Sequence, residues 1–153
     1  MTNAIENRLS ELGLTLPDAP APAANYVPFV KTGTQVYVSG QLPAGPDGLV
    51  TGKLGDSVNT ETGAEAAKYC ALALLAQARK AADGDLRKVR LVKLVGFVNS
   101  TADFPDQPKV VNGASDLMVA VLGENGRHAR SAVSAASLPF GVAVEIEGIF
   151  ELL

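Results

Sequence analysis

The chain has 153 residues, enough for one domain with a substantial core, and its 47% hydrophobic and 19% charged residues exclude a disordered polymer. A net charge of −3, with no stripe of clustered lysines and arginines, argues against nucleic acid as a partner, because such binding requires phosphates to be neutralised. No apolar run is long enough to span a bilayer, and residues 1–6 have neither a cationic start nor an apolar signal core, so a cytoplasmic location is expected.

Asn3 followed by Glu6 has the pattern of a capping box, and Ile5, Leu9 and Leu12 recur at helical spacing before Gly13. This predicts a short N-terminal helix. An extended connector over 14–24 follows, set by Pro17, Pro20 and Pro22 and too short to separate two domains, so residues 1–24 belong to a single domain spanning 1–153. Residues 26–31 and 35–39 are β-rich around Thr32-Gly33-Thr34 and predict a hairpin. Gly45-Pro46-Asp47-Gly48 is turn chemistry, with a short strand at 49–50. Thr62 and Glu65 form a second capping box, opening a long helix to about Ala82 with Gly84 as the stop. Ala67, Ala71, Leu74 and Ala78 share its apolar face, and Glu61, Glu65 and Lys68 point to water.

Residues 89–98 form the strongest strand, with Leu91, Val95 and Phe97 predicted on one side and Val92, Leu94 and Val98 on the other. Both faces are apolar, so both should be buried. A third helix follows Pro108, carrying Val110, Ala114, Leu117 and Val121 on one stripe, and Gly123 or Gly126 closes it. Residues 129–135 and 142–152 are strands, predicted to be joined as a hairpin around Leu138-Pro139-Phe140-Gly141. Two long helices can cover only one face of the resulting sheet, so a second copy of the chain is the expected cover for the other.

The last strand alternates. Val142, Val144, Ile146, Gly148, Phe150 and Leu152 form one face, and Ala143, Glu145, Glu147, Ile149 and Glu151 the other. In the hairpin reading Arg130 lies across from this glutamate row. It is then either one half of a cross-strand ion pair, worth ~1 kcal/mol or less if exposed, or an anion site. The planar guanidinium can hold a carboxylate through two hydrogen bonds, and a neighbouring glutamate could position a water or move a proton. His128 is the only histidine, which excludes a multi-histidine metal site, and a surface position beside Arg127 is expected for it. Cys70, the only cysteine, sits in an alanine-rich helix and reads as a small buried hydrophobe. No glycine-rich turn has phosphate-loop spacing, and no cofactor is expected. Ser39-Gly40-Gln41 ends a strand, either as a plain turn or as backbone donors at a pocket.

Several segments in order resemble the RidA/YjgF family. They are Tyr26-Val27, Val36-Tyr37-Val38-Ser39-Gly40-Gln41-Leu42-Pro43, residues 92–99 with Asp103-Phe104, Val111-Asn112, Ala129-Arg130-Ser131-Ala132-Val133, Leu138-Pro139, and Val144-Glu145-Ile146-Glu147-Gly148-Ile149. The resemblance covers roughly residues 25–152. It implies a chorismate-mutase-like α+β fold, with a mixed β-sheet and two long helices on one face, to which this chain adds its short N-terminal helix. It also implies a homotrimer with clefts between subunits. Family members with the arginine hydrolyse reactive enamine/imine intermediates, such as 2-aminoacrylate, to 2-keto acids and ammonia. By that resemblance Arg130 binds the substrate carboxylate, Tyr26, Ser39, Gly40 and Asn112 line the cleft, and Glu145 helps place the attacking water, with no metal. Where the family often has proline before the Ala-Arg pair and cysteine or valine two positions after the arginine, this chain has His128 and Ala132. Its tyrosine follows Ala24-Asn25 where Gly-Pro is common, and its 43–59 loop is longer, as in a divergent branch. The alternatives are a non-catalytic binder of small carboxylates, an endoribonuclease (a label attached to parts of the family), and an oligomeric scaffold in which Arg130 and Glu147 form a salt bridge.

Overall fold

A computed structural model describes residues 3–153; Met1 and Thr2, part of the N-terminal stretch read above, lie outside it. The Asn3 side chain accepts from the backbone N–H groups of Ile5 and Glu6, both at 3.0 Å, and starts helix α1 (Ala4–Glu11). The Glu6 carboxylate faces Arg79 at 3.6 Å, and Leu9 is buried, so α1 is docked onto the body of the domain. The connector then crosses to a hairpin of β1 (Phe29–Thr32) and β2 (Gln35–Gln41), turning at Gly33-Thr34 with Gly33 at φ 59°. A two-stranded ribbon, β3 (Ala44–Gly45) with β4 (Gly48–Leu49), closes on Pro46-Asp47 as turn chemistry predicts.

Helix α2 (Thr60–Ala81) begins earlier than the Thr62/Glu65 pattern suggests. Its cap is Asn59, whose side chain accepts from Thr62 N–H at 2.8 Å, so Thr62 lies inside the first turn. The rest of the 43–59 loop is stitched to the end of the sheet. Leu54 is fully buried, its N–H donates to the Asn99 carbonyl and its own carbonyl accepts from Thr101 N–H, while the Lys53 ammonium donates to Asn99 Oδ1 and the Ala136 carbonyl. Strand β5 (Val89–Asn99), helix α3 (Gln107–Leu122), β6 (Ala129–Ala135) and β7 (Val144–Leu152) complete the chain.

The five main strands lie in the order β1-β2-β7-β5-β6. This corrects the C-terminal hairpin: β6 pairs parallel with β5, and β7 pairs antiparallel with both β2 and β5, so β5 stands between β6 and β7. The physical reason is α3. A sixteen-residue helix between β5 and β6 makes the parallel crossover connection that a short turn cannot make.

The face assignment of β5 is corrected too. An irregularity between Leu91 and Lys93 shifts the pleat, so Leu91 shares the helix-facing side with Leu94 and Val98, all fully buried, while Val95 and Phe97 face away and are only half-buried. α2 and α3 cover this one side, with Leu74, Leu75, Val111 and Met118 packed against Ile146 and Phe150. The two helices approach closely at Gly113, where a Cβ would collide with the carbonyl of Ala64. The architecture is α+β with a mixed sheet and three helices, as the resemblance implies.

Candidate functional site

Arg130 stands on the edge strand β6, in register with Leu94 and on the side of the sheet that carries α3. Its Nη1 donates to Asn112 Oδ1 at 2.7 Å and to Ser115 Oγ at 3.2 Å, two side chains three residues apart on one face of α3. Ser115 Oγ lies 2.9 Å from His128 Nε2, and His128 Nδ1 lies 2.6 Å from the Gly126 carbonyl. A carbonyl only accepts, so Nδ1 carries the proton, and in the neutral ring Nε2 accepts from the Ser115 hydroxyl, whose oxygen accepts from Arg130. The guanidinium is thus aimed by the uncharged side chains of Asn112 and Ser115.

Among the described residues Arg130 forms no ion pair with a carboxylate. The expected position opposite the glutamate row is corrected with the hairpin. β5 separates Arg130 from β7, where Glu147 is in register with Val95 and points the other way. Arg130 also lines a shallow groove of about 260 Å³ with Val119, Arg127 and His128, which leaves space in front of its charge.

Glu145 alternates with buried Val144 and Ile146 and is half-buried on the face away from the helices. Burial, and then the neighbouring charge of Glu147, push its carboxyl above the usual range. Gly40 meets it from β2. A register shift between Val38 and Gln41 brings the Gly40 backbone so close that an added Cβ would lie 2.8 Å from Glu145 Cδ and Oε1. Ser39 is anchored beside it, its N–H and hydroxyl both donating to the Pro28 carbonyl at 3.0 and 3.1 Å. Tyr26, Ser39 and Gly40 share the wall of a cavity of about 440 Å³.

The predicted residues therefore form two groups, Arg130 with Asn112 and Tyr26 with Ser39, Gly40 and Glu145. One chain does not bring the groups together. β7 and β5 stand between β2 and β6, so three strand spacings, roughly 14 Å, separate Ser39 and Gly40 from Arg130, and two, roughly 10 Å, separate the Glu145 strand from it. Arg130 and Glu145 also leave opposite sides of the sheet.

Sequence reasoning missed Ser115 and treated His128 as a surface residue. His128 is partly buried and bonded through both ring nitrogens. The available signal was spacing, since Ser115 lies one turn beyond Asn112. Cys70 is fully buried with its thiol against the Val144 carbonyl, and burial, then Glu145, raises its pKa. Among the described residues no cluster of three or more His, Cys, Asp or Glu could hold a metal ion, and no helix is long and apolar enough to cross a membrane.

The family model described as "YjgF/chorismate_mutase-like, putative endoribonuclease" matches residues 6–150. Protein TCP17 of Trypanosoma cruzi is 52% identical over 147 residues, covering 94% of this chain and 91% of its own. The RutC family protein y4sK of Sinorhizobium fredii is 33% identical over 135 residues, 88% of this chain and 93% of its own. The crystal structure of the protein Atu1372 from Agrobacterium tumefaciens superimposes with a TM-score of 0.91 at 52% identity, covering 97% of this chain and 92% of that one. With a matching model over nearly its whole length and the same fold, the chain belongs to the RidA/YjgF family.

Proposed function

We propose that this protein hydrolyses enamine/imine forms of 2-amino acids to 2-keto acids and ammonia, and that Arg130 binds the substrate carboxylate. The observation that carries this reading is the guanidinium itself, positioned by Asn112 and Ser115 and, among the described residues, in no ion pair with a carboxylate. A small acid then supplies the missing charge through two charge-assisted hydrogen bonds.

The chemistry asks little else of the protein. The protonated imine carbon is already electrophilic. Water adds to it, forming a carbinolamine, and the C–N bond breaks to release ammonia as the carbonyl forms. Glu145, with its raised pKa, accepts the proton of the attacking water, returns it to the departing nitrogen, and takes up the hydroxyl proton as the carbonyl forms. Holding the carboxylate at one end and the water at the other turns the encounter into an oriented reaction.

Because the two residue groups are separated within one chain, the reading includes assembly. One copy's Arg130 and Asn112 meet a second copy's Tyr26, Ser39, Gly40 and Glu145 in a cleft between subunits of a homotrimer. Support comes from the uncovered face of the sheet, where Tyr37 and Val133 are 45% and 44% exposed beside half-buried Val95 and Phe97.

The test couples purified protein to an amino-acid oxidase and follows keto-acid formation. Arg130→Ala should slow it by about 100-fold, the loss of two charge-assisted hydrogen bonds. Full activity in that variant contradicts the assignment. Ligand-induced thermal stabilisation by 2-ketobutyrate with no turnover would leave a carboxylate-binding protein.

A further inference from the structure

The cavity beside Ser39 and Gly40 is larger and more apolar than a three-carbon acid requires. Its wall is built from three separate parts of the chain: Leu16 and Pro20 of the connector, Leu42 and Leu49 around the β3–β4 ribbon, and Leu72 and Ala73 of α2. At about 440 Å³ it falls within the ordinary size range of small-molecule pockets. The room exists because small side chains occupy the wall where larger ones would fill it, notably Ala21, Ala44 and Ala73.

The connector suits this role. Pro17, Pro20 and Pro22 have no backbone N–H, so each can border apolar space without stranding a donor. It is also held in place. The fully buried Gln77 of α2 donates from Nε2 to the Pro20 carbonyl at 2.8 Å, and Leu16 is buried in the core. On the other side the Tyr69 ring lies flat against Gly45, where an added Cβ would come within 2.7 Å of it, which fixes the ribbon to α2. A fixed, apolar, unfilled space is one that water occupies poorly and a hydrocarbon group occupies well.

We propose that this cavity is the side-chain subsite and that the preferred substrates are 2-imino acids with extended apolar side chains, straight or aryl, rather than alanine-sized ones. The inference rests on the function proposed above. It follows from the position of Gly40: its backbone lines the cavity on the α2 side, the Glu145 carboxylate lies against its other face, and beyond Val38 β2 has no β1 partner, so a substrate passes from one to the other around that free edge. A substrate whose reacting carbon sits at Glu145 and whose carboxylate reaches a second copy's guanidinium has this space open to its tail. The N-terminal segment, outside the strand-and-helix frame, is then a specificity element.

The experiment measures binding of straight-chain 2-keto acids, from pyruvate to 2-oxo-octanoate, to the full-length protein by calorimetry. Affinity should rise about threefold per added methylene until the cavity is full. Ala73→Leu, and independently Ala21→Trp from the exposed connector, should flatten that series while pyruvate binds as before. Arg130→Ala should weaken every member. A series that is flat in the unaltered protein, with Arg130-dependent binding of pyruvate, overturns the subsite and leaves the proposed function standing. A steep series that survives both filling variants, or long acids that bind equally well to Arg130→Ala, also overturns it. Failure of every acid to bind removes the proposed function and this inference with it.

Discussion

The two halves of the candidate site are built on different principles. The Arg130 half comes from one continuous β–α–β unit, and its side chains are held by hydrogen bonds in a row from Gly126 through His128 and Ser115 to the guanidinium. The Glu145 half is assembled from the connector, an irregularity in β2 and the last strand, and it is defined by shape: a carboxyl pressed against glycine beside an apolar hollow. One half offers a guanidinium that, among the described residues, has no carboxylate partner. The other offers a group whose protonation the fold has moved. In the function proposed above, binding and proton transfer fall to separate pieces of structure.

That separation can be broken in graded steps. The largest effect is expected at Gly113, next to Asn112, where even a methyl group must push α2 and α3 apart. Gly113→Ala should cost about 3 kcal/mol in a denaturant titration and weaken the Arg130 half through Asn112. Gly40→Ala should do the opposite. The atom in the way is the end of a flexible glutamate, so stability changes little while turnover falls about tenfold as Glu145 is displaced. Ser115→Ala removes one neutral bond to Arg130 and should weaken 2-keto acid binding by about fivefold with no change in the pH profile.

The smallest effect concerns pH. Glu145 has a raised pKa in the folded protein, so its contribution to stability is fully present below the ordinary glutamate value of about 4.3 and is lost as pH rises through the raised one. Melting curves of Glu145→Gln should lack that decline and should show a slightly higher midpoint at neutral pH. Turnover should move the other way in the unaltered protein, increasing as Glu145 ionises.

Much of the frame was legible from residue patterns. The alternation in β7 and the stripes on α2 and α3 mark the faces that the core uses, because burial on one side imposes a period the sequence must keep. Strand partners were less legible. Local patterning says that β6 and β7 are strands but not that β5 lies between them, and the informative feature was the sixteen-residue helix before β6, long enough to force a parallel return. The pleat of β5 was misassigned at Leu91 because a bulge adds a residue without any change in composition. At the site, Arg130 stands out already in the strand pattern as a candidate anion site and Asn112 through the family resemblance, and the contact between them is direct. Ser115 carries only the weak signal of standing one turn beyond Asn112, and a lone histidine carries none until the turn at Gly126 folds it over that serine.

In the proposed assembly the two halves meet across a subunit boundary, and subunit complementation tests this most directly. Arg130→Ala and Glu145→Gln proteins, each inactive alone, are unfolded together, refolded as a one-to-one mixture and assayed for keto-acid formation. A site shared between copies predicts that about a quarter of the clefts regain both native residues and that activity returns in that proportion. A mixture as inactive as its components would contradict the shared cleft.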